Sequence, residues 1–201
     1  MLDGWARRQL DPLLDRLAAR LAAAGATPNA ITVGACAVGL LAAAAIAAQW
    51  YLVGLALLLI SRLGDGLDGA VASITGKTDL GGFLDIVLDF VFYGAIPLGF
   101  VLADPAANAV AGAALIFSFY VNGGSFLAYA VMAEKRGLKT EKRGEKSLFF
   151  TTGLAEATET IAFFVAFCLF PAWFPALAGI FAVLCLYTAT SRILLAARAL
   201  D

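Results

Sequence analysis

Six long apolar stretches dominate this sequence of 201 residues, in which 62% of the residues are hydrophobic. A helix needs about 20 mostly apolar residues to cross a lipid bilayer. The stretches that approach or exceed this length are residues 30–48, 51–74, 82–103, 106–133, 148–170 and 173–195. Because they leave little room for a soluble domain, the sequence predicts an all-α polytopic membrane protein with six transmembrane helices.

Lysine and arginine are distributed unevenly along the chain. They concentrate in the N-terminal segment, between the second and third stretches, in residues 135–146 and near the C-terminus. The turns at 49–51, 103–108 and 171–175 contain neither residue type. Since positively charged loops stay on the cytoplasmic side, we expect both termini there, together with the segment 64–89.

The N-terminal segment, residues 1–26, differs from the membrane domain predicted for 27–201. Its leucines and Trp5 fall near one helical face, whereas Arg7, Arg8 and Arg20 lie on or beside the other. This pattern predicts an amphipathic helix in the membrane interface, with a solvated helix as the alternative. Thr27 and Pro28 are then suited to cap and begin the first spanning helix.

Four aspartates lie near the junction of the second and third stretches. Asp65 and Asp68 are three residues apart, and Asp85 and Asp89 are four apart, so each pair shares one helical face. Two carboxylates about 5 Å apart repel by about 3 kcal/mol at an effective dielectric constant of about 20. A cluster of four therefore requires protonation or a bound cation. Oxygen ligands, in a chain without histidine, favour Mg²⁺, Mn²⁺ or Ca²⁺ over zinc.

Small residues crowd the same segment, among them Gly66, Gly69, Ala72, Gly81 and Gly82. Glycine allows a ligand to approach the backbone closely. A metal ion beside such a slot predicts a ligand with phosphate oxygens and a flat group, for example a nucleoside diphosphate. The alternative is that the acids are hydrogen-bonded structural groups within membrane helices.

These residues resemble the signature of the CDP-alcohol phosphotransferases, D-x-x-D-G-x-x-A-R followed by G-x-x-x-D-x-x-x-D. The matching positions are Asp65, Asp68, Gly69, Ala72, Gly81, Asp85 and Asp89. TPNAIT at 27–32 and GLAEATETI at 153–161 extend the resemblance, which is closest to a bacterial inner-membrane branch of the family. Ser73 stands where the signature has arginine, and Lys77 is a candidate to replace that arginine.

The resemblance implies a phospholipid-biosynthetic transferase. Such an enzyme moves a substituted phosphate group, expected to be phosphatidyl, from a CDP-linked donor such as CDP-diacylglycerol to an alcohol and releases CMP. The sequence leaves open whether the lipid is carried on the CDP or is the alcohol. It implies Mg²⁺ or Mn²⁺ as cofactor, a bacterial inner-membrane location and a homodimer, with the lipid bilayer and no nucleic acid among its partners. The implied site residues are Asp65, Asp68, Asp85 and Asp89 for the metal, Asp89 as catalytic base, and Asn29, Gly69, Ala72 and Gly82 for the nucleotide.

Residues that would select the alcohol are less clearly marked. Glu156 and Glu159 are three apart and would suit a cationic alcohol, a polyol or a neighbouring helix. Lys146 and Arg192 would instead suit an acceptor that carries phosphate, or anionic lipid headgroups. The sequence leaves the acceptor open.

Two other functions compete with this interpretation. An intramembrane prenyltransferase also binds Mg²⁺ and diphosphate through aspartates, but it usually has more spans and a different acid spacing. A small cation transporter would place its acids near the bilayer midplane rather than near the helix ends. Release of CMP from CDP-diacylglycerol distinguishes the transferase from both.

Overall fold

Helices make up nearly all of the chain that the computed structural model describes, which is residues 3–136 and 156–200. The helices are α1 (Asp3–Ala23), α2 (Pro28–Ala47), α3 (Tyr51–Thr75), α4 (Asp79–Ala103), α5 (Pro105–Lys135), α6 (Ala157–Leu169) and α7 (Phe174–Leu200). A 3₁₀ turn, Pro171–Trp173, precedes α7. These two ranges contain no strand, and the predicted all-α class is confirmed.

Short polar side chains begin three of the helices. The hydroxyl of Thr27 accepts a hydrogen bond from the Ala30 amide at 3.3 Å, and Pro28 occupies the first turn of α2, as predicted. Thr78 caps α4, and the carboxylate of Asp104 caps α5. At the other end of α3, Gly76 has a φ of 106°, a left-handed conformation that favours glycine. Gly76 and Thr78 therefore fix the turn between α3 and α4.

The alanine- and glycine-rich helix α2 packs against both α3 and α4. A Cβ atom added to Gly99 of α4 would lie 2.6 Å from the carbonyl oxygen of Ala43 on α2, so the backbones approach closely at this point. Small residues allow such packing within a membrane, where the hydrophobic effect does not drive helices together. Helices α2 and α4 are therefore closely packed at this point.

Phenylalanine side chains fill the interior between α4, α6 and α7. The rings of Phe100 and Phe174 stack with centroids 4.7 Å apart, and Phe163 stacks on Phe181 at 4.3 Å. All three cysteines are free and buried, and Cys168 and Cys185 belong to this apolar core. This packed end of the bundle supports the helices that carry the polar residues.

Within the described ranges, four helical segments are long and apolar enough to cross a membrane: α2, α4, α5 and Pro171–Arg198. Helix α3 has sufficient length, but Arg62, Asp65 and Asp68 interrupt its apolar character. Helix α6 has 13 residues and begins at Ala157, and the predicted start of this span at 148 lies outside the described ranges. The segment 3–23 is helical and packs against α3, and its interfacial position stays a prediction.

Candidate active site

Three aspartates from two helices converge. One carboxylate oxygen from each of Asp65, Asp68 and Asp85 lies within 4.8 Å of the other two. The i,i+3 spacing places the first two on one face of α3, and α4 supplies the third. Because α2 packs against both helices, it holds the two acidic faces in register. The predicted convergence of these three side chains is confirmed.

The Asp68 side chain is the most enclosed of the three. Only 6% of the residue is exposed, and its Oδ2 atom is buried without a hydrogen-bond partner among the described residues. A buried carboxylate oxygen with no donor is costly unless a cation is bound to it. Asp65 is partly buried and Asp85 is exposed, so the cluster opens on one side. An open set of oxygen ligands fits Mg²⁺ or Mn²⁺, which retain positions for substrate phosphate.

The fourth aspartate lies outside this cluster. Asp89 Oδ1 accepts a hydrogen bond of 2.8 Å from Nη1 of Arg62, and the same nitrogen is 3.4 Å from Asp65 Oδ2. Arg62 therefore offsets part of the negative charge of both carboxylates. Its bond to Asp89, 27 residues away, could not be predicted from spacing.

A cavity of about 760 Å³ adjoins the cluster. Its lining contains all four residues predicted to bind nucleotide, together with two aspartates of the cluster: Asn29, Gly69, Ala72, Gly82, Asp68 and Asp85. Lys77 also lines it. A Cβ atom on Gly81 would lie 3.0 Å from Thr78 Oγ1 and 3.1 Å from Asn29 Oδ1, which explains the need for glycine there. We call this space the first cavity.

A second cavity, of about 350 Å³, has Asp89 in its lining. Asp89, Glu156 and Arg192 line it, along with aromatic side chains such as Tyr93 and Phe119. The structure therefore brings two of the predicted acceptor-binding residues close to the predicted base.

Arg192 is fixed within this second cavity by three oxygens of α5. Its Nη1 atom donates to the carbonyl and side-chain oxygens of Asn122, both at 2.9 Å, and to Ser125 Oγ at 2.7 Å. These bonds join α7 to α5. None of these three acceptors is a carboxylate.

The other predicted acceptor residues lie elsewhere. Glu159 does not line the second cavity, and its Oε2 atom is buried without a hydrogen bond in the described structure. Glu156 precedes α6 in an extended conformation, so the two glutamates do not share a helical face. Lys146 lies outside the described residues. Thr32 and Thr78 line the first cavity and were not predicted, although both lie close to predicted residues.

The fold and the site together define a helical membrane-type protein with a candidate metal centre between two cavities. Sequence comparison then identifies the family, since residues 25–192 match the CDP-alcohol phosphatidyltransferase model. The chain belongs to this family and is an enzyme of this class.

Two curated relatives cover most of the chain. It is 46% identical to the inner membrane protein YnjF of Escherichia coli over 193 residues, which is 96% of this chain and 94% of that protein. It is 30% identical to the archaetidylinositol phosphate synthase of Pyrococcus horikoshii over 155 residues, 76% of this chain and 82% of that one.

The fold matches solved structures of the Mycobacterium tuberculosis phosphatidylinositol phosphate synthase PgsA1. The PgsA1 structure with CDP-DAG bound has a TM-score of 0.71 at 20% sequence identity, and the match covers 90% of this chain and 92% of the PgsA1 chain. The structure with manganese and citrate has a TM-score of 0.73 at 20% identity, covering 91% and 88%. At this identity the likeness establishes a common fold.

Proposed function

We propose that this protein transfers a phosphatidyl group from a CDP-linked lipid, such as CDP-diacylglycerol, to the hydroxyl of an alcohol and releases CMP. The observation that carries the proposal is the position of Asp68 and Asp85, which belong to the acidic cluster and also line the first cavity. A diphosphate in that cavity would lie beside the metal ligands. The structural match to PgsA1 with CDP-DAG bound supports the choice of donor.

Asp65, Asp68 and Asp85 are the proposed ligands of Mg²⁺ or Mn²⁺. The buried, unpartnered Oδ2 of Asp68 supports this assignment, as does the manganese in a PgsA1 structure. When bound, a divalent ion neutralises the diphosphate and stabilises the negative charge that develops on the leaving CMP. By holding the ion in one place, the three carboxylates would fix the position of the diphosphate and so orient the donor.

The cytidine and its phosphates are proposed to occupy the first cavity. Gly69 and Gly82 leave open space there, since a Cβ atom at either would meet nothing within 4 Å. Asn29 and Ala72 complete the proposed nucleotide contacts. Ser73, at the position of the signature arginine, donates to its own helix at Gly69 O. Lys77 lines the cavity and is the proposed replacement for that arginine.

Asp89 is proposed to be the general base. The chain contains no histidine, and the Asp89 carboxylate lines the second cavity, from which the alcohol would approach. As the hydroxyl oxygen forms its bond to the phosphorus next to the lipid, Asp89 takes the hydroxyl proton. The bond between that phosphorus and the CMP oxygen breaks, and the electron pair leaves with CMP.

The acceptor alcohol is proposed to lie in the second cavity. Arg192 provides donors for hydroxyl or phosphate oxygens, and Glu156 provides acceptors for hydroxyl or ammonium groups. Glu159 and Lys146 stay proposed acceptor-binding residues. The Pyrococcus relative is named an archaetidylinositol phosphate synthase and the Mycobacterium neighbour a phosphatidylinositol phosphate synthase, and both names support a phosphorylated polyol as the first acceptor to test.

The proposed setting is a bacterial inner membrane, in agreement with the name of the Escherichia coli relative. We propose six crossings by 27–201, an interfacial helix within 1–26, and both termini and the site on the cytoplasmic side. Large apolar side chains exposed on the helices, such as Val110 at 85% and Val183 at 66%, support contact with lipid. A homodimer is a further expectation.

The test is release of CMP by purified, detergent-solubilised protein given CDP-diacylglycerol, Mg²⁺ or Mn²⁺, and single alcohols in turn. The acceptors should include polyols, a polyol phosphate, serine, ethanolamine and choline. We expect CMP and a new lipid with at least one acceptor, and neither product when the metal is removed by chelation. No CMP with any acceptor would contradict the proposal.

A further inference from the structure

An arginine lies within the acidic site. Arg62 is on α3, one turn before Asp65, and its side chain is only 13% exposed. Its Nη1 atom donates to Asp89 Oδ1 at 2.8 Å and is 3.4 Å from Asp65 Oδ2. The guanidinium therefore lies between the cluster of three aspartates and Asp89.

Several contacts fix the position of this guanidinium. Its Cζ atom lies 3.6 Å from the ring centroid of Phe92, which is fully buried on α4. Nη2 donates to Ser61 Oγ at 3.4 Å, and that hydroxyl in turn donates to the Ala35 carbonyl of α2 at 2.7 Å. A stacked and hydrogen-bonded arginine is held rigidly, in contrast to a surface arginine. Arg62 is thus built into the site by three helices.

This arrangement changes what Asp89 can bind. The group of carboxylates within 4.8 Å of one another contains Asp65, Asp68 and Asp85 but not Asp89. The negative charge of Asp89 is instead paired with the guanidinium. A second divalent cation on Asp89 would lie beside this fixed positive charge and would be repelled by it.

We propose that Arg62 is a positioning residue that takes the place of a second metal ion. It holds Asp89 outside the cluster and points that carboxylate toward the second cavity, so that the protein binds one divalent ion per chain. The inference rests on the proposed function, which assigns a metal to the other three aspartates. It replaces the prediction that Asp89 is also a metal ligand, because Asp89 would be paired with Arg62 and would bind no metal ion.

The experiment is a titration of the purified full-length protein with Mn²⁺, with bound metal measured by elemental analysis and by electron paramagnetic resonance. The wild type should bind one ion and give the spectrum of an isolated Mn²⁺. Arg62→Gln removes the cation and frees Asp89, so it should bind a second ion and give a spin-coupled spectrum. Arg62→Lys keeps the charge and should restore the stoichiometry to one.

The matched control is Arg198→Gln, which removes one positive charge at an exposed position near the end of α7. It should bind one ion, like the wild type. This control separates the local effect of Arg62 from the effect of net charge.

Each outcome bears on a different claim. Two ions in the wild type, or one ion in a folded Arg62→Gln protein, would overturn the role of Arg62. No Mn²⁺ in the wild type would instead refute the metal site of the proposed function, and this inference with it. If Arg62→Gln does not fold, the number of Mn²⁺ ions bound by Asp89→Asn is the deciding measurement. One bound ion supports the inference, and loss of that ion overturns it.

Discussion

Asp85 and Asp89 are one helical turn apart on α4, yet they face different spaces. Asp85 lines the first cavity with Asp68, whereas Asp89 lines the second cavity and is bonded to Arg62. Residues at i and i+4 lie on the same side of a helix, so one turn of α4 forms part of the wall between the cavities. In the proposed reaction this separation assigns metal binding to one carboxylate and proton transfer to the other.

The first prediction concerns Asp89. Asp89→Asn should lower kcat by about 10²- to 10⁴-fold, since a general base contributes about that much. Binding of Mn²⁺ and of CDP-diacylglycerol should be retained, because both are assigned to other residues. Turnover and calorimetric binding should be measured on the same preparation. Loss of donor binding in parallel with activity would show that Asp89 is not primarily a base.

A second prediction concerns Lys77 in the first cavity. Lys77→Ala should weaken CDP-diacylglycerol binding by about 10- to 100-fold, the value of one charge-assisted hydrogen bond of about 1.5–3 kcal/mol. Lys135→Ala is the matched control, because Lys135 is exposed at the end of α5 and does not line this cavity. An unchanged dissociation constant for Lys77→Ala would exclude it as the replacement for the signature arginine.

A third prediction concerns acceptor selection by Glu156. Glu156→Gln should change kcat/KM ratios between alcohols by about 10-fold, which corresponds to about 1.4 kcal/mol of differential binding. The KM for the CDP-linked donor should not change. Glu134→Gln, at an exposed position on α5, provides the control. Identical ratios for every alcohol would remove Glu156 from the acceptor site.

At the scale of the helices, α2 organises the site although it carries none of the clustered acids. It packs against α3 and α4, which bear those acids, and the hydroxyl of Ser61 on α3 bonds to its Ala35 carbonyl. Its alanines and glycines allow the contact with Gly99 of α4. The distance between the acidic faces therefore depends on small residues remote from the acids.

The prediction at this scale uses two glycines of α4. Gly99→Ala places a methyl group against the Ala43 carbonyl and should destabilise the protein by about 1–3 kcal/mol, as overpacking does. Gly94→Ala meets open space and should have little effect or a small stabilising one. Thermal unfolding in detergent should show a lower midpoint for the first variant only. Equal midpoints would mean that the α2–α4 contact is not tight.

Local signals in the sequence were sufficient for much of this architecture. Thr27 and Pro28 marked the start of α2, and the spacing of Asp65 and Asp68 predicted their shared face. The bond from Arg62 to Asp89 was not predictable, because it depends on how α3 and α4 pack around Phe92. Glu156 and Glu159 are three apart in the sequence, but α6 begins at Ala157 and Glu156 lies in extended backbone, so the two side chains do not share a helical face.

At the scale of the whole molecule, the acidic cluster, Arg62 and Asp89 lie together in a bundle that is mostly apolar within the described ranges. The phenylalanines of α4, α6 and α7 form a packed interior, and the exposed surface of the helices is rich in large apolar side chains. Asp68, Asp85 and Asp89 line the two cavities, through which substrates would reach them. In the proposed setting, a lipid-linked donor would reach the first cavity while its acyl chains remain in the bilayer.

Because the two cavities are separate, neither substrate needs to leave before the other enters. The lipid-linked nucleotide and the alcohol would both be bound when the phosphorus is attacked, with no phosphatidyl group ever attached to the protein. Initial rates measured over a grid of both concentrations should then give intersecting double-reciprocal lines. Parallel lines would mean that the chain carries the phosphatidyl group itself between two successive half-reactions.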